Sequence, residues 1–136
     1  KSVAFRWEDA LSFEGRSGPF VQYAFVRATS LLKKAEADVP PFPYRGADLT
    51  TEEERALVRT LARWPRVLAY TARTAHVHTV AGYAHDLAEA FNRFYQSVPV
   101  LRAGPERASR LALVHASRTT LGVVLDLLGV PSIDRM

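Results

Sequence analysis

Apolar side chains recur at intervals of three and four along nearly the whole chain, broken only at a few clusters of proline and glycine. A period of 3.6 residues puts such side chains on one stripe of an α-helix, whereas a half-buried strand would show strict alternation. Runs of β-branched residues are short. The pattern therefore predicts an all-α fold, a bundle of about five helices joined by one Pro-rich connection.

The helix boundaries can be placed from local chemistry. Trp7, Ala10 and Leu11 predict a short first helix ending near Gly15. Ser17-Gly18-Pro19 reads as a second start, because proline in a first turn loses no hydrogen bond. Val21, Ala24, Phe25, Ala28, Leu31 and Leu32 then form one stripe, and Lys33 and Lys34 suit the negative end of that helix. Three prolines between Val39 and Gly46 forbid helix there. Thr50-Thr51-Glu52-Glu53-Glu54 reads as a capping box, with the three glutamates as helix-start residues. Leu57, Leu61 and Trp64 are expected to face inward, and Pro65 restarts the chain. A long helix from Thr79 to Ser97 carries the stripe Val80, Ala84, Leu87, Phe91, Phe94 and Val98, and Pro99 ends it. Gly104-Pro105 opens the last helix, which buries Leu111, Val114, Leu121, Val124, Leu125 and Leu128. Gly129 is placed at its C′ position.

With 136 residues, 48% of them apolar, the chain can bury a core as one domain, 1–136. It begins without Met and reads as a piece of something longer. No run of 18 apolar residues suggests a membrane span, and the N-terminus lacks a signal-peptide pattern. The absence of cysteine excludes disulfides, zinc knuckles and thiol catalysis, and it suits the cytoplasm. The net charge is +4, and 15 of the 18 basic residues are arginine. Arginine binds phosphate bidentately and stacks on bases, so a polyanionic partner is permitted.

Catalytic motifs are missing. There is no P-loop, dinucleotide fingerprint, nucleophile elbow or HExxH zinc motif. His76, His78, His85 and His115 match no ligand spacing, so no metal site is expected. Arg55, Arg59, Arg63 and Arg66 form a basic stripe that could face phosphates, although such a stripe is more often a solvated face. Binding is what remains. Phe20, Tyr23 and Arg27 share a helix face, and Tyr95 stands near the end of another helix. Rings and arginines of this kind can hold single-stranded RNA by stacking and phosphate contact. From composition alone, core packing suits each ring better. A helical protein-interaction or packing module, without RNA binding, stays open as the alternative.

The order of the motifs adds a resemblance. Ala10-Leu11-Ser12-Phe13-Glu14-Gly15, then Gly18-Pro19-Phe20-Val21-Gln22-Tyr23-Ala24 and Arg27, resembles the entrance to the C-terminal anticodon-binding (DALR-type) domain of arginyl-tRNA synthetases. Leu87-Ala88, Phe91-Asn92, Phe94-Tyr95 and Val98 are similar to that family's fourth-helix pattern. Arg110-Leu111-Ala112-Leu113, Leu127-Leu128-Gly129-Val130 and Arg135-Met136 are similar to its closing helix and tail.

The resemblance implies a parent enzyme of class I that uses ATP, with Mg, to attach arginine to tRNA(Arg). Its catalytic domain would lie N-terminal to these residues. The domain itself would have no catalytic residue and no cofactor, and would act in a cytoplasmic monomer. Its partner would be the anticodon stem-loop of tRNA(Arg). Phe20, Tyr23, Arg27, Tyr95 and Met136 would line the pocket, with the central anticodon cytosine read by an acceptor facing its amino group. Phe20 departs from a usual Tyr, Phe25 from a common His, Pro99 from a larger residue and Asp134 from a common Glu.

Overall fold

The computed structural model describes residues 6–11, 17–35 and 49–133. The expected helix end at Gly15, the Pro-rich connection 39–46 and Met136 lie outside the described residues. Six helices follow one another: α1 (Trp7–Leu11), α2 (Gly18–Ala35), α3 (Glu52–Ala62), α4 (Trp64–Thr74), α5 (His78–Ser97) and α6 (Arg107–Leu127). Five of them run for eleven residues or more, and the described residues contain no strand. The expected all-α bundle is the observed one.

The core lies between α2, α5 and α6, with α3 closing one side. Val80, Ala84, Leu87, Phe91, Phe94 and Val98 of the α5 stripe are all buried. Helices α2 and α6 approach closely. A Cβ on Gly122 would come within 3.3 Å of the Phe25 ring, so a small residue suits that crossing. Helix α4 is less integrated and buries none of its residues fully. Its Trp64 stacks on Tyr83 of α5 at 5.1 Å, and Val67 rests on the core edge. Leu68 and Tyr70 remain exposed. Burial pushes the Tyr83 hydroxyl up to about 12, despite the opposing charge of Arg63. That hydroxyl donates to the Thr60 carbonyl.

Two helix ends follow the local signals. Thr51 caps α3: its hydroxyl accepts from the Glu54 amide, and the Glu54 carboxylate accepts from the Thr51 amide. At the end of α6 the Val130 amide donates to the Leu125 carbonyl and the Gly129 amide to that of Asp126. This is a Schellman motif, with Gly129 at φ +68°. An L side chain is strained there, so Gly129→Ala should cost about 1 kcal/mol in chemical denaturation. An unchanged midpoint would contradict the assignment.

Glu54 has a second role that a helix-start reading misses. Its carboxylate is wholly buried and accepts a 2.6 Å hydrogen bond from Arg110 Nε of α6. Arg110 Nη1 donates to the carbonyl of Pro99, just beyond α5. One buried ion pair thus joins the start of α3, the first turn of α6 and the loop after α5.

Candidate nucleic-acid interface

Tyr23 and Arg27 lie one turn apart on α2, and the wall of the bundle beside them is the C-terminal half of α5. Phe91 and Phe94 of α5 point into the core, which turns Asn92 and Tyr95 toward the α2 side. The Arg27 guanidinium lies 4.2 Å from the Tyr23 ring centre and 5.0 Å from that of Tyr95. Each ring offers its negative face to the cation. Arg27 Nη1 donates to Asn92 Oδ1 at 3.1 Å, and Nη2 donates to the Tyr23 hydroxyl at 3.0 Å. Tyr95 leans on Phe91 yet keeps 39% of its surface in solvent.

A pocket of about 230 Å³ opens beside Tyr95, lined also by Leu31, Val98, Pro99, Val100, Leu101 and Arg102. Its loop wall is the one that Arg110 holds through the Pro99 carbonyl. The structure thus brings Tyr23, Arg27 and Tyr95 together. Phe20 sits two turns from Arg27, and its ring stacks on His85 at 5.2 Å. The last described residues return to the same helix: Gln22 Nε2 donates to the Pro131 carbonyl at 2.9 Å. Met136 lies outside the described residues. If the rings served only packing, Tyr95 should be buried, and it is not.

Charge divides around the bundle. Arg59 of the predicted basic stripe pairs with Glu52, as does Arg55 at 3.7 Å, and Arg63 pairs with Asp86 at 3.2 Å. Arg93 pairs with Glu89. These are surface pairs of small energetic weight, and that face is largely neutralised. The arginines around α2 differ. Arg27 bonds to an amide and a phenol, Arg107 to the Ala35 carbonyl, and Arg118 to the Thr29 hydroxyl while lying over the Phe25 ring. Arg102 stands at the pocket rim. None of these four has a carboxylate partner among the described residues. Nor do those residues include a group of three His, Cys, Asp or Glu side chains that could hold a metal.

An exposed ring beside an arginine with no carboxylate partner among the described residues can hold single-stranded RNA by stacking and phosphate contact. The DALR anticodon binding domain family matches residues 21–136. This chain belongs to that family. Among curated relatives of the DALR domain, the arginine-tRNA ligase of Haloarcula marismortui is 49% identical over 131 residues, which span 96% of this chain and 22% of the relative. The arginine-tRNA ligase of Methanocella arvoryzae is 45% identical, across all of this chain and 24% of its own length. The chain therefore spans about a quarter of the length of the relatives it matches. The arginyl-tRNA synthetase structure of Thermus thermophilus superposes with a TM-score of 0.86 at 38% identity, covering all of this chain and 24% of that one. That of Plasmodium falciparum superposes at 0.81 with 25% identity, covering 97% of this chain and 23% of that one.

The family resemblance assigns Tyr23, Arg27 and Tyr95 to one pocket, and the structure brings these three side chains together. Asn92 belongs to the Phe91-Asn92 motif but carries no role in the resemblance. Its signal is an amide one residue after the stripe position Phe91 and one turn after Ala88, which is also buried. Buried amides need partners, and that requirement points to a nearby donor. The Arg110 signal was similar: one charge inside a run of buried residues from Ser109 to Val114.

Proposed function

We propose that residues 1–136 form the anticodon-binding domain of an arginine-tRNA ligase and grip the anticodon loop of tRNA(Arg). The observation that carries this reading is the Arg27 guanidinium, held against two tyrosine rings with no carboxylate partner among the described residues. The free face of Tyr95 stacks an unpaired base. Arg27 attracts a phosphate or a base edge, and Arg102 adds positive charge at the pocket rim. Tyr23 orients Arg27 and contributes its ring. Phe20 extends the aromatic surface one turn along α2, and the family resemblance assigns Met136 to the same pocket. An acceptor there selects the amino group of the central cytosine.

The domain needs no cofactor or metal of its own. Activation of arginine with ATP and Mg belongs to a catalytic domain of the parent chain, a cytoplasmic monomer. No helix among the described residues is long and apolar enough to cross a membrane.

Binding of an arginine anticodon stem-loop to the complete protein, followed by fluorescence anisotropy, tests the proposal. Replacing the central cytosine by uracil should weaken binding about 10- to 100-fold, the weight of one base-reading contact. Affinity should also fall steeply with added salt. Equal affinity for the two loops would overturn the reading.

A further inference from the structure

We propose that Asn92 is the positioning residue of this grip: it aims the Arg27 guanidinium while leaving its charge intact, and so sets how tightly an anionic RNA loop is held without touching RNA. The inference rests on the function proposed above. Arginine has a long side chain with many rotamers, and fixing it at an interface costs affinity unless it is fixed beforehand. Two tyrosine faces alone do not fix it, because cation–π attraction is weakly directional in the ring plane. The hydrogen bonds from Nη2 to the Tyr23 hydroxyl, at 3.0 Å, and from Nη1 to Asn92 Oδ1, at 3.1 Å, supply the missing direction, and of the two acceptors Asn92 is the more deeply buried. Asn92 can act as a firm anchor because only 8% of it is exposed and its helix neighbour Phe91 is fully buried.

The residue type is informative. Several other arginines are held by carboxylates, Arg110 by Glu54, Arg63 by Asp86 and Arg93 by Glu89, whereas Arg107 and Arg118 bond to a carbonyl and a hydroxyl. A carboxylate would aim Arg27 equally well, yet it would cancel the charge that attracts phosphate. An amide oxygen accepts the same hydrogen bond and carries no net charge. Position 92 therefore separates aiming from neutralisation.

Three variants of the complete protein, Asn92→Leu, Asn92→Asp and Arg27→Met, together with Asn92→Leu in the Arg27→Met background, test this against the wild-type arginine anticodon stem-loop. Thermal denaturation checks that each is folded. Asn92→Leu should weaken binding about tenfold, the usual effect of losing a hydrogen bond to a charged group. Asn92→Asp should keep the fold, weaken binding, and lower the slope of log affinity against log salt by about 0.7, one single-strand phosphate contact. A merely structural role would leave that slope unchanged. In the Arg27→Met background, Asn92→Leu should add less than about twofold, since the two residues act as a unit.

Should Asn92→Leu fail to fold, the salt slope of Asn92→Asp decides alone. The proposal is overturned if Asn92→Asp binds with wild-type affinity and slope, if the two losses multiply in full, or if Arg27→Met binds like wild type. These failures differ from failure of the functional reading, in which the wild-type protein itself does not discriminate the loops.

Discussion

Glu54→Ala should destabilise the protein by about 3–5 kcal/mol, the largest effect expected of any single substitution here. The carboxylate has no exposed surface, and it accepts from the Thr50 amide at 2.7 Å, the Thr51 amide at 2.8 Å and Arg110 at 2.6 Å. Removing it strands a buried guanidinium and two amides at once. Replacing both members by apolar residues, Glu54→Leu with Arg110→Met, should recover much of the loss, because no buried charge is then left alone. Urea denaturation of the two proteins checks this, and a double variant less stable than Glu54→Ala would refute it.

The same group gives the pH dependence a definite sign. Burial raises the Glu54 carboxyl's affinity for a proton, but the hydrogen bonds from Thr51, Arg110 and Thr50 together outweigh it and hold the pKa below 4.5. A depressed folded pKa means that the unfolded chain takes up the proton first. The stabilisation is therefore complete above about pH 4.5 and is lost as pH falls through the folded value. Acid titration of stability should show a slope there that Glu54→Gln lacks.

Tyr95→Ala should weaken binding of the arginine anticodon stem-loop about 10- to 100-fold, the range for losing one base–aromatic stack. Tyr95→Phe should bind nearly as wild type, since the ring face is kept. Stability should change little, because the ring is 39% exposed and leans on Phe91 at its edge of the core. The pair of variants separates stacking from hydroxyl chemistry. A Tyr95→Ala protein with wild-type affinity would remove this ring from the site.

What could be read in the sequence follows from how local each cause is. The α5 stripe was legible because six apolar residues keep one helical face over nineteen positions, and all six are buried. The same register shows why Tyr95 is exposed: it follows Phe94, which points inward, and so falls off the stripe. The capping box at Thr51 and the Gly129 turn were legible because each is closed within a few residues. The Glu54–Arg110 pair joins positions 56 apart, and no periodicity connects them. Arg27 and Asn92 are 65 apart, so the bond that aims the arginine was also hidden. Helix α4 shows the reverse failing. Its pattern is clearly amphipathic, but only the edge of its apolar face meets α5. The candidate site came from ordered motifs; periodicity favoured packing for those rings.

The clamp on the Pro99 carbonyl has a kinetic consequence. Connections between helices ordinarily open and close far faster than a domain unfolds. This one is moored to a guanidinium that is itself locked to the first turn of α3. Swinging the wall beside Tyr95 outward would break the hydrogen bond from Arg110 to the Pro99 carbonyl and leave a nearly buried guanidinium short of a partner, so the pocket is a cast shape with no gate. An RNA loop meeting it would be admitted or refused on first contact, at a rate governed by diffusion and by attraction to the arginines around α2.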